Sequence, residues 1–386
     1  MRVLVAHNRY RSAAPSGENR LVDAEVALLR DDGAEVVEMI TDSDDIAPGL
    51  RGAFQAAPGP VYSPSGVRRF RRLLEESEPD VVHLHNVFPL ISPYVVRVAN
   101  RAGIPVVQTV HNYRHGCVNG LHLRDGHPCT DCLGTRLGLP AVRYGCYRDS
   151  RLQTVPMTLG QNVHRRTWRD GVARYLALTP FARDKLVATG IPGERVTVRP
   201  TWVPDPGHEP DIGTDVLYVG RLDEPKGVDR LLDAWASGGR ESGRRLRIAG
   251  DGPLASAVAA AAAADGSIDH LGPLDSAGVH QAMCRAAYVV VASRVYEGYP
   301  LVVAEAFGCG RPVLTVDGGS VGSVVGNDGG WTVAPTTAAI ADAIGSIDDN
   351  DVQRQSALAR ARYERDNTPA HALESLMVVF ADVTRR

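Results

Sequence analysis

Residues 296–308, which read Tyr-Glu-Gly-Tyr-Pro-Leu-Val-Val-Ala-Glu-Ala-Phe-Gly, form the most informative segment of the chain. The apolar run 288–292 that precedes it predicts a buried strand. Pro300 suits the start of a helix, where its missing N–H costs nothing. The segment therefore predicts a junction from strand to helix, with Glu297 in the loop and Glu305 on the helix.

This junction predicts a ligand that carries both negative charge and hydroxyl groups. Free N–H groups at the start of a helix favour an anion such as a phosphate. Ionised Glu297 and Glu305 can only accept hydrogen bonds, which suits the hydroxyls of a sugar or a ribose. A diphosphate with hydroxyls describes a nucleotide-sugar. The alternative for two isolated glutamates is a solvated loop acid and a first-turn acid favoured by the helix dipole.

The flanking residues of the same segment resemble the donor-site signature of retaining glycosyltransferases of family four, which have the two-domain GT-B fold. The resemblance implies that Glu297 contacts the transferred sugar and that Glu305 holds the ribose hydroxyls of the nucleotide. It also implies that residues 310–314 form the loop and strand after the donor helix. The donor-binding residues implied in this segment are Gly298, Tyr299, Pro300, Leu301 and Glu305.

The length of 386 residues suits two domains. Short β-branched runs alternate with helical patterns in both halves, which predicts parallel sheets. A proline-rich stretch near residue 200 marks the linker. We therefore expect an α/β chain of two doubly wound, Rossmann-like domains: an acceptor-side domain at 1–200 and a donor-binding domain at 201–368. The resemblance implies that the domains face a cleft and that a C-terminal helix at 369–386 crosses back to the first domain.

The charge balance argues against nucleic-acid binding. The formal net charge is -3 and the charged fraction is 23%, so there is no large basic field. The apolar run 3–6 is too short for a secretory signal, and no stretch approaches the roughly 20 apolar residues of a membrane span. We expect a cytoplasmic protein. Peripheral contact with the inner membrane face stays open, because a lipid-linked acceptor would need it.

Two cations lie in the segment 220–227, Gly-Arg-Leu-Asp-Glu-Pro-Lys-Gly, which follows a predicted strand. The carboxyl ends of strands are where open α/β sheets bind ligands. Arg221 offers a planar fork and Lys226 a point charge, and together they suit a diphosphate whose charge grows as the sugar leaves. An ordinary basic loop is the alternative. The segment also resembles the diphosphate motif of family four.

Glycines occur at two further loops where a backbone could approach a ligand closely or simply turn. Gly250 and Gly252 follow a predicted strand, and Gly17 follows Ser16 at the start of the first long helix. The resemblance implies that these glycines border the nucleotide. Family four usually has two glycines where this chain has Ser16 and Gly17, although Ser16 is also a good helix N-cap. The region lacks Gly-x-Gly-x-x-Gly, which argues against a dinucleotide-dependent dehydrogenase.

Histidines end two predicted strands of the first half. A histidine at the end of a strand more often makes a structural hydrogen bond than acts as a catalytic group. The resemblance implies that His111 reaches the transferred sugar and that His85 lines the acceptor pocket. It implies no protein base, no catalytic metal and no catalytic cofactor, because in retaining members the leaving phosphate accepts the proton of the acceptor.

Four cysteines lie in a loop at residues 112–150. Their spacing, Cys-x11-Cys-x2-Cys-x13-Cys, suits a tetrahedral zinc of structural type. Free thiols and two disulfides are the alternatives. The loop resembles those of a family-four subgroup associated with polysaccharide assembly. The predicted zinc ligands are Cys117, Cys129, Cys132 and Cys146.

The stretch after this loop is rich in arginine and contains Trp168. It is either an exposed basic face or a docking surface for an anionic or lipid-diphosphate acceptor. The arginines concerned are Arg143, Arg148, Arg151, Arg165, Arg166, Arg169 and Arg174.

These observations predict a metal-independent retaining glycosyltransferase that moves a hexosyl unit from a nucleoside-diphosphate sugar to a hydroxyl acceptor. A glycan or lipid-linked precursor in polysaccharide or glycolipid assembly is the favoured acceptor. One alternative is transfer to a small natural product or metabolite. The other is a catalytically silent nucleotide-sugar-binding subunit, against which the intact cations and glutamates count.

Overall fold

The computed structural model describes residues 1–12, 16–135, 137–207, 212–326 and 328–385. The chain forms two compact units. The first comprises Met1–His122, Cys129–Arg199 and Leu373–Arg386, and the second comprises Leu123–Pro128 and Pro200–Ala372.

Each unit contains a six-stranded sheet, with strand order β2-β1-β3-β4-β7-β8 in the first and β11-β10-β9-β12-β13-β14 in the second. All pairs in these two sheets are parallel. β5 and β6 form a short antiparallel pair. The strands are β1 (Arg2–Arg9), β2 (Glu35–Asp42), β3 (Val81–Leu84), β4 (Val106–Val110), β5 (Leu123–Arg124), β6 (His127–Pro128), β7 (Arg174–Ala177), β8 (Val196–Val198), β9 (Asp215–Val219), β10 (Leu246–Ala249), β11 (Ile268–Gly272), β12 (Ala286–Val291), β13 (Val313–Val316) and β14 (Gly330–Val333).

Helices connect the strands, as crossovers between parallel neighbours require. Many begin at side-chain caps, such as Ser16, whose Oγ accepts a hydrogen bond from the Asn19 N–H at 3.4 Å. The helices are α1 (Gly17–Asp31), α2 (Gly49–Ala56), α3 (Pro64–Ser77), α4 (Val95–Arg101), α5 (Leu139–Tyr144), α6 (Arg151–Val163), α7 (Arg165–Gly171), α8 (Pro180–Val187), α9 (Val228–Ser237), α10 (Ala255–Ala264), α11 (Ser276–Cys284), α12 (Leu301–Gly308), α13 (Ser320–Val325), α14 (Thr337–Ser346), α15 (Asp349–Arg362) and α16 (Pro369–Thr384).

The core of the first unit includes Val5 of β1, Val26 of α1 and Val107 of β4. The later part of α16 belongs to this core through Leu376 and Phe380, neither of which has exposed surface. The core of the second unit includes Trp235, which is also fully buried. None of the helices in the described ranges has the length and apolar character needed to cross a bilayer.

The predicted α/β class with two Rossmann-like sheets is confirmed. The strand expected at 288–292 instead spans Ala286–Val291. Ala286 and Ala287 favour a helix by propensity, but both are buried in the sheet, where packing overrides propensity.

Candidate functional site

In the second unit, the candidate site lies where the sheet reverses its strand order. The chain passes from β9 to β10 and β11 on one side, and then returns to β12 on the other side of β9. Open α/β sheets bind ligands at such a switch point, outside the carboxyl ends of the strands. The loop after β9 carries Arg221 and Lys226, and the loop after β12 carries Glu297.

Lys226 and Glu297 form an ion pair across this switch point. Lys226 Nζ lies 2.6 Å from Glu297 Oε1, and the Ser293 hydroxyl donates to the same oxygen at 2.7 Å. The two charged side chains are 29% and 13% exposed, so the pair is reachable from solvent but largely shielded. The sequence predicted a diphosphate ligand for Lys226 and a sugar ligand for Glu297, but not their mutual contact. Ser293 was missed, although its place just after β12 was a usable signal.

Arg221 is oriented by Asp223. The Arg221 guanidinium donates from Nε to the Asp223 carboxylate, and its side chain is still 58% exposed. The other oxygen of Asp223 accepts the Lys226 backbone N–H at 3.0 Å and caps a short helical turn at Glu224–Lys226. One carboxylate therefore fixes the loop that holds both cations. The sequence analysis did not assign this role to Asp223.

Three glycines let the loops at these strand ends pack together. A Cβ on Gly227, which has φ 74°, would lie 2.0 Å from the Ala292 carbonyl oxygen. A Cβ on Gly250 would lie 1.9 Å from the Gly220 carbonyl oxygen, and one on Gly252 would lie 2.5 Å from that of Leu222. Real Cβ atoms do not approach so closely. Gly250 and Gly252 are therefore required by the packing of the loop that carries Arg221, whether or not they also touch a ligand.

The helix α12 begins directly after this site. Pro300 stands at its start, as the sequence predicts, and is the N-cap residue with an extended backbone. Gly298, Tyr299 and Leu301 surround this start, and Glu305 follows one turn into the helix. The Tyr299 hydroxyl accepts a hydrogen bond from Asn367 Nδ2 at 3.0 Å, and its ring is buried. This contact gives Tyr299 a packing role that holds the start of α12 in place.

A pocket of about 270 Å³ in the second unit is lined by Ser293, whose hydroxyl bonds Glu297. Its walls include Ser293, Tyr296 and Ser320 at the carboxyl ends of β12 and β13. Arg294 also lines it, but forms a two-pronged ion pair with Asp229, with N–O distances of 2.8 and 2.7 Å. The sequence analysis did not predict this pocket.

In the first unit, histidines gather where the order of strands reverses between β1 and β3. His85 follows β3 and His111 follows β4, and His85 Nδ1 lies 2.9 Å from His111 Nε2. On the other side, His85 Nε2 lies 3.5 Å from Glu25 Oε1. Glu25 Oε2 in turn accepts from Arg199 Nη1 at 2.6 Å. His111, His85, Glu25 and Arg199 thus form a chain of polar contacts.

Glu25 and Arg199 were missed by the sequence analysis. Both are almost fully buried, with side chains 3% and 4% exposed. Glu25 lies on the apolar face of α1, between Val22 and Val26, and a charged residue at such a position was a usable signal.

Burial keeps these imidazoles neutral. It lowers the pKa of His111 to about 3 and that of His83 to about 4; the charge of Glu25 opposes the shift of the His83 pKa, and that of Arg199 contributes to both shifts. It also lowers the pKa of His85 well below its ordinary value. Near neutral pH, the His85–His111 contact is therefore a neutral hydrogen bond, in which one ring donates and the other accepts.

A small pocket of the first unit is lined by His111, Glu18 and Arg114, among others. Burial raises the pKa of Glu18 to about 7, against the opposing effect of Arg114. Gly17, which the resemblance placed beside the nucleotide, begins α1 next to Glu18 and is exposed. The sequence analysis gave Glu18 no role, although it directly follows Gly17.

The four cysteines of the loop are thiols and form no disulfide with one another. Burial raises the pKa of Cys132 to about 11, and the other three cysteines add to this shift. Within the described ranges, the groups of three metal-ligating side chains with mutual distances within 4.8 Å are His280, Cys284 and Cys309, and Glu25, His83 and His85. The loop cysteines form no such group, so the prediction of a structural zinc gains no support here.

Two families match the chain. The family described as "Glycosyl transferase 4-like domain" matches residues 11–202, and that described as "Glycosyl transferases group 1" matches residues 213–350. The phosphatidyl-myo-inositol mannosyltransferase of Mycobacterium leprae is 29% identical over 311 residues, which cover 77% of this chain and 72% of that protein. The glycogen synthase of Mycobacterium tuberculosis is 28% identical over 335 residues, covering 81% and 72%.

Solved structures share the fold at low sequence identity. Anabaena HepE in complex with UDP and glucose has a TM-score of 0.67 and 14% identity, with 99% of this chain and 100% of that chain covered. The sucrose-phosphate synthase of Thermosynechococcus elongatus has a TM-score of 0.67 and 16% identity, with 98% of each chain covered. Together with the two Rossmann-like units, these matches show that the chain belongs to the group 1, family-four glycosyltransferases of the GT-B fold.

Proposed function

We propose that this glycosyltransferase moves a hexosyl unit from a nucleoside-diphosphate sugar to a hydroxyl acceptor, with retention at the anomeric carbon and without a catalytic metal. In this proposal residues 201–368 bind the donor, residues 1–200 bind the acceptor, and the helix at 369–386 completes the first domain. The observation that carries it is the Lys226–Glu297 pair at the switch point, beside the start of α12.

The second unit offers what a departing diphosphate needs. Lys226 and the exposed fork of Arg221 supply two positive charges, and the first N–H groups of α12 supply partial ones. These groups can neutralise the charge that develops on the phosphate, the task a divalent metal performs in other enzymes. Glu297 would then accept hydrogen bonds from sugar hydroxyls, and Glu305 from the ribose.

The proposed reaction balances without a protein base. The acceptor oxygen bonds to the anomeric carbon on the face that the diphosphate leaves, while the bond from that carbon to the phosphate oxygen breaks. The proton of the acceptor hydroxyl passes to the departing phosphate. His111, with a pKa of about 3, is a weak base at neutral pH, which suits hydrogen bonding to the sugar better than proton abstraction.

Relatives support the choice of substrates. HepE binds UDP and glucose, and the mycobacterial relative is named for mannosyl transfer to phosphatidyl-myo-inositol. We therefore propose a sugar nucleotide as donor and a glycan or lipid-linked precursor as acceptor, in polysaccharide or glycolipid assembly. The enzyme would then act in the cytoplasm or at the inner membrane face. Six cysteines that form no disulfide suit a reducing compartment.

A panel of nucleotide-sugars tests the proposal. A true donor at 100 times its dissociation constant should stabilise the folded protein by about 2.7 kcal/mol. The selected donor is then incubated with candidate acceptors, and NMR of the anomeric proton compares donor with product. An inverted linkage would refute retention, and activity that disappears with a metal chelator would refute metal independence. Donor binding without transfer or hydrolysis would indicate a silent binding subunit.

A further inference from the structure

Helix α6 carries apolar side chains on its outward face. Leu152, Val155, Leu159 and Val163 are 86%, 47%, 51% and 42% exposed. Their spacing of three, four and four residues places them along one side of the helix. The buried side consists of Thr154, Met157, Thr158 and Gly160. The helix therefore packs on the protein through Met157 and three small residues, and it also exposes a stripe of four larger apolar side chains to solvent.

The neighbouring helix α5 extends this apolar surface. It packs beside α6, where Asn162 Nδ2 donates to the Leu137 carbonyl at 3.1 Å. Leu137, Leu139 and Tyr144 are 54%, 63% and 49% exposed. Of the twelve large apolar residues found exposed in the described ranges, seven lie here. We use "the α5–α6 face" for these seven residues, which are Leu137, Leu139, Tyr144, Leu152, Val155, Leu159 and Val163.

Exposed arginines flank the residues of the α5–α6 face along the chain. Residues 139–171 contain six arginines and two aspartates. One of the aspartates, Asp170, is already paired with Arg169 through two contacts of 2.8 Å. The Arg143 guanidinium lies 5.4 Å from the centre of the Tyr144 ring, a pairing of cation and amphipathic ring that suits an interface between water and lipid. The exposed arginines are Arg143, Arg148, Arg151, Arg165, Arg166 and Arg169.

We propose that the α5–α6 face docks on an anionic lipid bilayer, with the apolar residues in the headgroup layer and the arginines on lipid phosphates. A helix with an exposed apolar stripe and basic flanks binds such a surface through both features. A second copy of this chain fits less well. A two-fold contact would bring the same patch against itself, and the arginines of both copies would then repel one another.

This inference deepens the proposed function, because a docked enzyme could meet a lipid-linked acceptor at the bilayer surface. Only this link to the acceptor rests on the proposed function. Vesicle binding needs neither donor nor turnover. A protein that binds vesicles but transfers no sugar would overturn the proposed function and leave the docking surface intact. A protein that transfers sugar to soluble acceptors but ignores vesicles would do the reverse.

The test compares the full chain on vesicles of phosphatidylglycerol mixed with phosphatidylcholine and on vesicles of phosphatidylcholine alone. Each arginine near an anionic surface contributes about a fivefold gain in binding, so we expect the anionic vesicles to bind at least about tenfold more tightly. The double variant Leu152→Glu/Leu159→Glu should bind anionic vesicles at least about tenfold more weakly than the wild type. Arg165→Gln/Arg166→Gln should lower the preference for anionic vesicles while the apolar contribution stays.

The matched control is Val378→Glu, which changes an apolar residue of α16 that is 64% exposed and outside the α5–α6 face. It should bind vesicles as the wild type does. Circular dichroism and nucleotide-sugar protection should be unchanged in all variants, because every changed side chain is exposed. The proposal is overturned if the wild type ignores anionic vesicles, if the double variant binds equally well, or if the control loses as much. A wild-type dimer that the double variant converts to monomer would assign the face to a second copy instead.

Discussion

Lys226 is one of only two lysines in the chain, and its replacement by methionine tests the candidate site directly. The Lys226 ammonium lies 2.6 Å from Glu297, and neither side chain is more than a third exposed. Such a pair attracts by a few kcal/mol, of which about 1 kcal/mol remains after desolvation. We therefore expect Lys226→Met to lower the free energy of unfolding by about 1 to 2 kcal/mol, because the largely shielded Glu297 carboxylate loses its contact with the ammonium.

The expected effect on catalysis is larger than that on stability. A positive charge that strengthens its contact in the transition state is worth about 2 to 4 kcal/mol, so turnover should fall by about 30- to 1,000-fold. Lys185→Met, which changes the other lysine on α8, is the matched control and should keep full turnover. The double variant Lys226→Met/Glu297→Gln should lose less stability than the sum of the single changes. If Lys226→Met turns over within a few-fold of the wild type, Lys226 does not act on the leaving group.

Three further outcomes follow from the first unit and the cysteine loop. Arg199→Met should lower the free energy of unfolding by about 3 to 5 kcal/mol in urea titrations, because Glu25 is left buried without its cation. The double variant Arg199→Met/Glu25→Gln should be less destabilised, and an equal loss of stability in both variants would contradict this. The free energy of unfolding should fall as the pH drops from 6.5 towards about 4, because burial lowers the pKa of His83 only in the folded state. His83→Gln should remove about 3 kcal/mol of that pH dependence. An unchanged dependence of stability on pH would show that His83 does not cause it. The cysteine spacing predicts about one zinc per chain in protein purified without added metal, measured by elemental analysis. Folded protein that contains no zinc would show that this prediction is wrong.

The second-unit site could largely be predicted because its information is local. Each cation or glutamate follows a strand whose apolar run is visible in the sequence, and parallel strands bring their carboxyl ends to one edge. The sequence therefore places Arg221 and Lys226 at the carboxyl end of one strand and Glu297 in the loop after another. The Lys226–Glu297 contact was beyond prediction, because it depends on side-chain conformations across 71 residues.

The first unit shows where local information fails. Glu25 and Arg199 are 174 residues apart, and nothing near either residue specifies the other. The stripe Leu152, Val155 and Leu159 shows a second limit of local information. Its period predicts an amphipathic helix with the apolar side buried. The period alone cannot say which side faces the protein, and in α6 the buried side is the one with Thr154 and Gly160.

The candidate residues of the second unit are charged and the histidines of the first unit are neutral, which fits the proposed reaction. The cations of the candidate site, Arg221 and Lys226, lie in the second unit, where they would meet the negative diphosphate. The imidazoles of the first unit are kept neutral by burial. In glycosyl transfer the sugar itself gains positive charge as its bond to the leaving group lengthens. A protonated His111 beside that sugar would oppose this charge, whereas a neutral imidazole can hold a hydroxyl without opposing it. The low pKa of His111 is therefore the property that a sugar-positioning histidine needs.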